Sequence, residues 1–147
     1  MKAIRVRYSS VSPPLSCLVE TRDFFAQSVA ALKRKAAARE IILEIPVFSR
    51  DWQENRIRLP PLLKWVSGPT PLLEVREIGS DGKEGEALVP ESLARLMRHL
   101  RKIELEQQMA IDLEEGFIQR PEDFHAHDKE WTEPGASTHP DAPPSVT

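Results

Sequence analysis

Three side chains that could coordinate a metal ion stand close together near the end of the chain. His125, His127 and Asp128 lie in the stretch "RPEDFHAHDKEW", and the whole chain has only four histidines. A metal site needs three or four ligands that converge from a rigid frame. No strand pattern surrounds the His-x-His pair, and the spacing identifies no further ligand. The sequence therefore favours a solvated acidic segment over a metal site.

The only cysteine, Cys17, is the other group with chemical potential. A thiol nucleophile needs direct contact with a base and surroundings that favour the thiolate. Cys17 falls on the apolar face of a predicted strand, whereas the candidate base, His99, lies among arginines on a predicted helix. The run "GSDGKEG" lacks the glycine spacing of phosphate-binding loops and fits a hairpin turn. With no catalytic motif, we expect neither enzymatic activity nor a cofactor.

The elements that would position these groups follow from the apolar spacing. Alternating apolar residues predict strands, and 3–4 spacing predicts helices. The predicted strands are 2–8, 15–20, 40–48, 72–78 and 86–89, and the predicted helices are 21–40 and a longer one from Pro90 to Gly116. This order indicates an α+β fold with a mainly antiparallel sheet of four to five strands, packed by two helices, with a disordered C-terminal tail.

The apolar pattern divides the chain into two parts. Residues 1–118 read as a single α+β domain, and residues 119–147 as an acidic, proline-rich, largely disordered tail. No apolar run approaches the roughly 18–20 residues needed to cross a membrane. The charged N-terminal stretch lacks the apolar core of a signal peptide, and one cysteine has no internal disulfide partner. We therefore expect a cytoplasmic protein that does not act on membranes.

Charge is distributed unevenly along the chain. Residues 1–39 hold eight Lys/Arg and two Asp/Glu, whereas residues 103–133 hold two Lys/Arg and ten Asp/Glu. A basic face could hold nucleic-acid phosphates, which makes a nucleic-acid-binding regulator one alternative. An acidic surface could instead occupy a partner's basic groove, as an inhibitor does. The basic candidates are Arg5, Arg7, Lys33, Arg34, Lys35 and Arg39.

Protein binding is the leading hypothesis, and it depends on two segments. The long helix carries more apolar surface than one contact needs, with Leu96, Leu100 and Ile103 on its main stripe. Trp52 and Trp65 flank an Arg/Pro/Leu-rich loop of a kind that often carries recognition. Each segment could also pack into the protein's own core. We expect a small non-catalytic protein-binding or regulatory module whose partner is another protein or, in a homodimer, a second copy.

Overall fold

Residues 1–133, which the computed structural model describes, form an antiparallel sheet with helices packed on one face. The four strands of this sheet are β1 (Ala3–Tyr8), β2 (Leu43–Pro46), β3 (Leu73–Ile78) and β4 (Glu84–Ala87), in the order β2-β1-β3-β4. Every neighbouring pair is antiparallel, and the turn after β3 returns the chain into β4 as the glycine-rich run predicts. The predicted α+β class is confirmed.

The helical layer of the described residues has five α-helices rather than the two that the sequence predicts. The long one, α5, is confirmed, and its first residue is the predicted proline. The helices are α1 (Leu15–Phe25), α2 (Val29–Ala37), α3 (Trp52–Asn55), α4 (Leu62–Trp65) and α5 (Pro90–Glu114). A short 3-10 helix, Arg56–Arg58, follows α3 directly.

The strand predicted at 15–20 is wrong, because this stretch is the first half of α1. Its buried residues Leu18, Thr21 and Phe25 follow helical spacing, while Leu15, on the supposed apolar face, is 67% exposed. Cys17 is accordingly half-buried on a helix rather than in a strand.

The single helix predicted over 21–40 is interrupted between α1 and α2. Ala26 ends α1 in a left-handed conformation, and the Ser28 hydroxyl then caps α2.

The two faces of the sheet have opposite character because side chains alternate along each strand. Ile4, Val6 and Tyr8 of β1 join the apolar core under the helices. Arg5 and Arg7 point to the other face, where Arg5 pairs with Glu44 of β2 and Arg7 with Glu84 of β4. That outer face carries paired charges. The apolar packing that stabilises the sheet therefore lies on the helical side.

The packed chain extends past the predicted domain boundary at residue 118. The return segment, residues 119–133, runs back along α5 and includes a short 3-10 helix, Pro121–Asp123. Trp131 is only 4% exposed and belongs to the core cluster, and Thr132 is buried as well. The tail assignment is therefore wrong for this stretch, because its aromatic and charged side chains find partners on α3 and α5. The predicted tail from residue 134 onward lies outside the described residues.

Within residues 1–133, no helix combines the length and the apolar character that a membrane span requires. The longest, α5, carries charged side chains on nearly every turn.

Candidate functional site

A cluster of four charged side chains joins three distant parts of the chain. Arg56 comes from the short helix after α3, Arg101 and Glu104 from α5, and Asp128 from the return segment. Arg56 donates through Nη1 to Glu104 at 2.7 Å and through Nη2 to Asp128 at 2.9 Å. Arg101 Nη1 donates to both carboxylates, at 3.0 Å and 2.7 Å. We call these four residues the charged cluster; two positive and two negative charges balance within it.

Two tryptophans complete the hydrogen bonding of Glu104. The indole Nε1–H of Trp52 donates to one carboxylate oxygen at 2.5 Å, and that of Trp131 donates to the other at 2.8 Å. The two indole rings meet edge to face, with 5.9 Å between their centroids. Each oxygen of the buried Glu104 therefore accepts from one guanidinium and one indole. This full set of donors is what allows a carboxylate to be buried.

The electrostatic state of Asp128 follows from the same contacts. Burial alone raises the pKa of Asp128, but hydrogen bonds from Arg101 and Arg56 outweigh that effect and leave the pKa below its ordinary value of 3.8. The carboxylates in turn raise the pKa of Arg101, although burial opposes this. Both groups are therefore charged at neutral pH. Their ion pair connects the return segment to α5.

His125, His127 and Asp128 have separate surroundings in the structure. His127 Nε2 lies 2.8 Å from the Asp112 carboxylate, and the His127 amide donates to the Gln108 side chain. Asp128 faces the arginines, and His125 is exposed. Among the described residues, no three His, Cys, Asp or Glu side chains are placed to hold a metal ion. Of the three potential ligands, His127 and Asp128 pair with side chains of α5 instead of converging on a common point.

A small cavity of about 180 Å³ opens beside the charged cluster. It lies where the segment after β2 meets the C-terminal half of α5. Phe48 and Ile111 stand at its surface, 38% and 53% exposed, and Phe48 holds a left-handed backbone with φ 56°. An aromatic residue rarely adopts that conformation. The cavity is lined by Phe48, Trp52, Gln53, Arg56, Glu104, Gln107, Gln108, Ile111 and Asp128.

A second, wider groove of about 500 Å³ lies on the opposite side of the return segment. Leu105 and Met109 of α5 form its apolar part, and Glu130 and Glu133 stand on its other wall. Its cations and carboxylates are equal in number. The return segment thus separates two grooves on α5.

The five residues predicted to bind a partner belong mostly to the core. Trp52, Trp65, Leu96 and Leu100 are all buried, and Ile103 is partly buried. For Trp65, Leu96 and Leu100, which do not line the cavity, burial in the core favours the self-packing alternative. Only Trp52 touches the candidate site, as part of the cavity wall.

The predicted basic face is divided between opposite sides of the molecule. Arg5 and Arg7 lie on the outer face of the sheet, where Arg5 pairs with Glu44 and Arg7 with Glu84, both at 2.7 Å. Those arginines also lower the pKa of Glu84. The remaining predicted cations are on or just after α2, across the sheet: Lys33, Arg34 and Arg39 are exposed, and Lys35 donates to Gln27. The six residues do not form one patch.

The charged cluster was missed because each member looks like a surface residue in isolation. One signal in the sequence could have identified Glu104. Leu93, Met97 and Leu100 are buried at 3–4 spacing on α5, and the next position of that stripe is Glu104. A carboxylate on a core stripe requires buried donors. No local pattern indicates that Arg56 and the return segment supply them.

Comparison with protein-family models, with curated proteins and with solved structures gave no match to this chain. The class that the fold and the site define is a two-layer α+β protein with a charge-balanced cluster that joins the segment after β2, the long helix α5 and the return segment.

Proposed function

We propose that this protein is a non-catalytic cytoplasmic protein-binding module, and that the partner docks where the segment after β2 meets α5. The observation that carries the proposal is the cavity with exposed Phe48 and Ile111 at its surface. The two segments are those favoured by the sequence, the loop with tryptophans and the long helix. The contacting residues, however, are different from the predicted ones.

Exposed apolar side chains around a concavity support binding. Single exposed apolar residues are common on protein surfaces, but two beside a preformed cavity offer an anchor point to a partner. The left-handed backbone at Phe48 adds to this, because such strain is often kept where it positions a functional side chain. The charged cluster beneath the cavity holds its floor rigid, and a rigid site loses less entropy on binding.

The composition of the cavity also argues for binding rather than catalysis. Its nine lining residues include no Ser, Thr, Cys or His, so no hydroxyl or thiol stands beside a histidine base. Its two carboxylates are held by arginines rather than poised for proton transfer. The site offers apolar contact, amides and a balanced set of charges.

The proposal is tested with Ile111→Glu, which places a charge on the proposed interface. The wild-type protein, the variant and Val11→Glu are tagged in cells, crosslinked, and their partners identified by mass spectrometry. Val11 has an exposed fraction of 48%, similar to the 53% of Ile111, but it does not line the cavity. Light scattering of the purified proteins measures self-association in parallel.

We expect Ile111→Glu to lose a specific partner, or a dimer, that Val11→Glu retains. Urea unfolding should give the same stability for both variants within about 0.5 kcal/mol of wild type, since both sites are on the surface. Equal partner sets for wild type and Ile111→Glu, together with equal mass in light scattering, contradict the proposal.

A further inference from the structure

The C-terminal end of α5 carries the most exposed large apolar side chain among residues 1–133. This residue is Phe117, with an exposed fraction of 75%. Its amide donates to the Asp112 carbonyl at 2.9 Å, and the Gly116 amide donates to the Leu113 carbonyl at 3.3 Å. Gly116 has the left-handed backbone, φ 78°, that this way of ending a helix requires. The Phe117 ring is therefore held in solvent by an ordered, hydrogen-bonded turn.

Ile111 connects this exposed aromatic ring to the cavity. Where a helix ends in such a turn, the apolar residue after the glycine commonly packs against the last turn of the helix, at the position that Ile111 occupies here. Ile111 is 53% exposed and lines the cavity. The proposed docking surface therefore continues from the cavity to the end of α5.

Two carboxylates flank the apolar pair. Glu114 and Glu115 follow Ile111 by three and four positions, which places them beside it on the helix surface. Both are exposed, and within the part of the chain that the structure describes neither side chain forms an ion pair or a hydrogen bond. Arg120, the next cation along the chain, lies 3.4 Å from Asp123 instead. We call Ile111, Glu114, Glu115 and Phe117 the α5 end surface.

The helix dipole makes these two carboxylates unfavourable in the free protein. The backbone of a helix places partial negative charge at its C-terminus, where lysine, arginine or histidine side chains are stabilising. The last turn of α5 contains no basic residue, and its final residue and its C-cap are Glu114 and Glu115. Such departures from local preference are expected at functional positions. Positive charge supplied by a partner would remove this repulsion.

The combination of apolar and acidic groups determines the class of partner. Nucleic acids and anionic lipid surfaces carry negative charge, so this surface repels them. A second copy of the chain is disfavoured as well, because its basic helix α2 exposes no large apolar side chain. A segment of another protein that has lysine or arginine beside a large apolar side chain matches both features.

We propose that the α5 end surface binds a basic, apolar segment of a partner protein. This inference rests on the proposed protein-binding function and names the chemistry of the partner. An apolar side chain of the partner packs against Ile111 and Phe117. Its lysine or arginine side chains pair with Glu114 and Glu115 and meet the negative end of the α5 dipole.

The test is a nitrogen-15 NMR titration of the whole protein with two synthetic peptides. The first is an amphipathic helix of leucine and lysine, about 14 residues or roughly four turns long. The second has glutamate in place of every lysine. We expect the lysine peptide to shift the main-chain amide signals of Ile111 and Phe117, and the glutamate peptide to leave them in place. The Leu15 amide, on α1, is the internal control and should not shift with either peptide.

Two exposed apolar residues provide a matched pair of variants. Phe117→Ala should weaken binding of the lysine peptide about tenfold, because it removes the aromatic contact. Leu15→Ala should leave the affinity unchanged. Leu15 is 67% exposed, nearly as much as Phe117, but it lies on α1 outside the α5 end surface.

A second matched pair tests the carboxylates. Glu114→Gln combined with Glu115→Gln should weaken binding of the lysine peptide about three- to tenfold at low salt. Glu20→Gln combined with Glu40→Gln removes equal charge from exposed positions elsewhere and should weaken binding less than about twofold. The Glu114/Glu115 variant should also unfold at a higher urea concentration than wild type, because it relieves repulsion at the negative end of α5. A lower urea midpoint would assign these carboxylates to stability and overturn their binding role.

The outcomes separate this inference from the proposed function. Equal binding of both peptides, no binding of the lysine peptide, or an unaltered affinity in either α5 variant overturns the inference, even if Ile111→Glu loses its partner. A dimer that Phe117→Ala dissociates in light scattering overturns the choice of a separate partner protein. If the peptide results are as expected but Ile111→Glu keeps every partner, the chemistry of the α5 end surface holds and the proposed docking function fails.

Discussion

Replacing Glu104 with glutamine removes one charge from the charged cluster with almost no change in shape. The wild-type carboxylate accepts four hydrogen bonds, two from arginines and two from tryptophan indoles. In Glu104→Gln, one oxygen becomes an NH2 group that faces donors and cannot accept from them. Asp128 is then the only carboxylate of the charged cluster left to Arg56 and Arg101, and the half-exposed Glu130, 3.4 Å from Arg101 Nε, compensates only part of the lost charge.

The magnitude follows from the burial of these groups. Arg56, Arg101 and Glu104 are all buried, so water does not replace the lost partner. Breaking a buried ion pair by removing one member costs about 3–5 kcal/mol. We expect a loss of that size, which is a large part of the roughly 5–15 kcal/mol of stability typical of a domain.

Urea unfolding followed by circular dichroism measures the effect, because urea carries no charge that would screen the pairs. Glu106→Gln is the matched control, since Glu106 lies on the same helix and is exposed. That variant should stay within about 0.5 kcal/mol of wild type. A loss below about 1 kcal/mol for Glu104→Gln, or an equal loss in both variants, refutes the assignment of Glu104 as the acceptor at the centre of the cluster.

Three further predictions concern the return segment and the basic residues. Asp128→Asn should flatten the acid limb of the stability profile, measured by urea unfolding between pH 6 and pH 2. The folded-state pKa of Asp128 lies below 3.8, so its contribution is complete above about pH 4 and is lost as the pH falls through the lower folded value. If the acid limb of the stability profile is the same in Asp128→Asn as in wild type, this prediction is wrong. Trp131→Ala should cost about 3–5 kcal/mol in the same assay and Trp131→Phe distinctly less, because phenylalanine keeps the burial and loses only the N–H donor. Equal losses would show that packing contributes nothing beyond the hydrogen bond. Reversing Lys33 and Arg34 to glutamate should leave titrations with short DNA and RNA at low salt unchanged, because the basic residues do not form one patch; a loss of salt-dependent binding would support the nucleic-acid alternative.

The predictions that held are those supported by a long or repeated pattern. The alternation of Ile4, Val6 and Tyr8 marks β1, and the apolar spacing from Leu93 to Leu100 marks α5. Both patterns are local, since they follow from which face of an element is buried. The stretch 15–20 is too short for such a test. Its alternation at Leu15 and Val19 is compatible with a strand, yet both residues are exposed on a helix.

The candidate site was less predictable than the fold. The sequence directed attention to the loop with tryptophans and to the long helix, and both do border the cavity. The apolar pattern predicted Trp52 and Leu100 as contact residues. Large apolar side chains occur both in cores and in interfaces, so their type alone does not indicate which they occupy. Nothing in the local sequence separates these two uses. Phe48 and Ile111, the apolar pair at the cavity, differ from those residues in being exposed in the folded structure.

The return segment shows where sequence and tertiary structure divide. By itself, the sequence determines that residues 103–133 carry strong negative charge, and that α5 is a long helix with both apolar and charged faces. It does not determine whether that acidity faces solvent, another molecule or the protein's own arginines. The tertiary structure decides this, because it places Arg56 and Arg101 within 3 Å of Asp128, residues 72 and 27 positions away in the chain. Long-range charge pairing leaves no local period in a sequence, whereas burial of a helix or strand face does, and so the fold class could be predicted while the docking of "FHAHDKEW" could not.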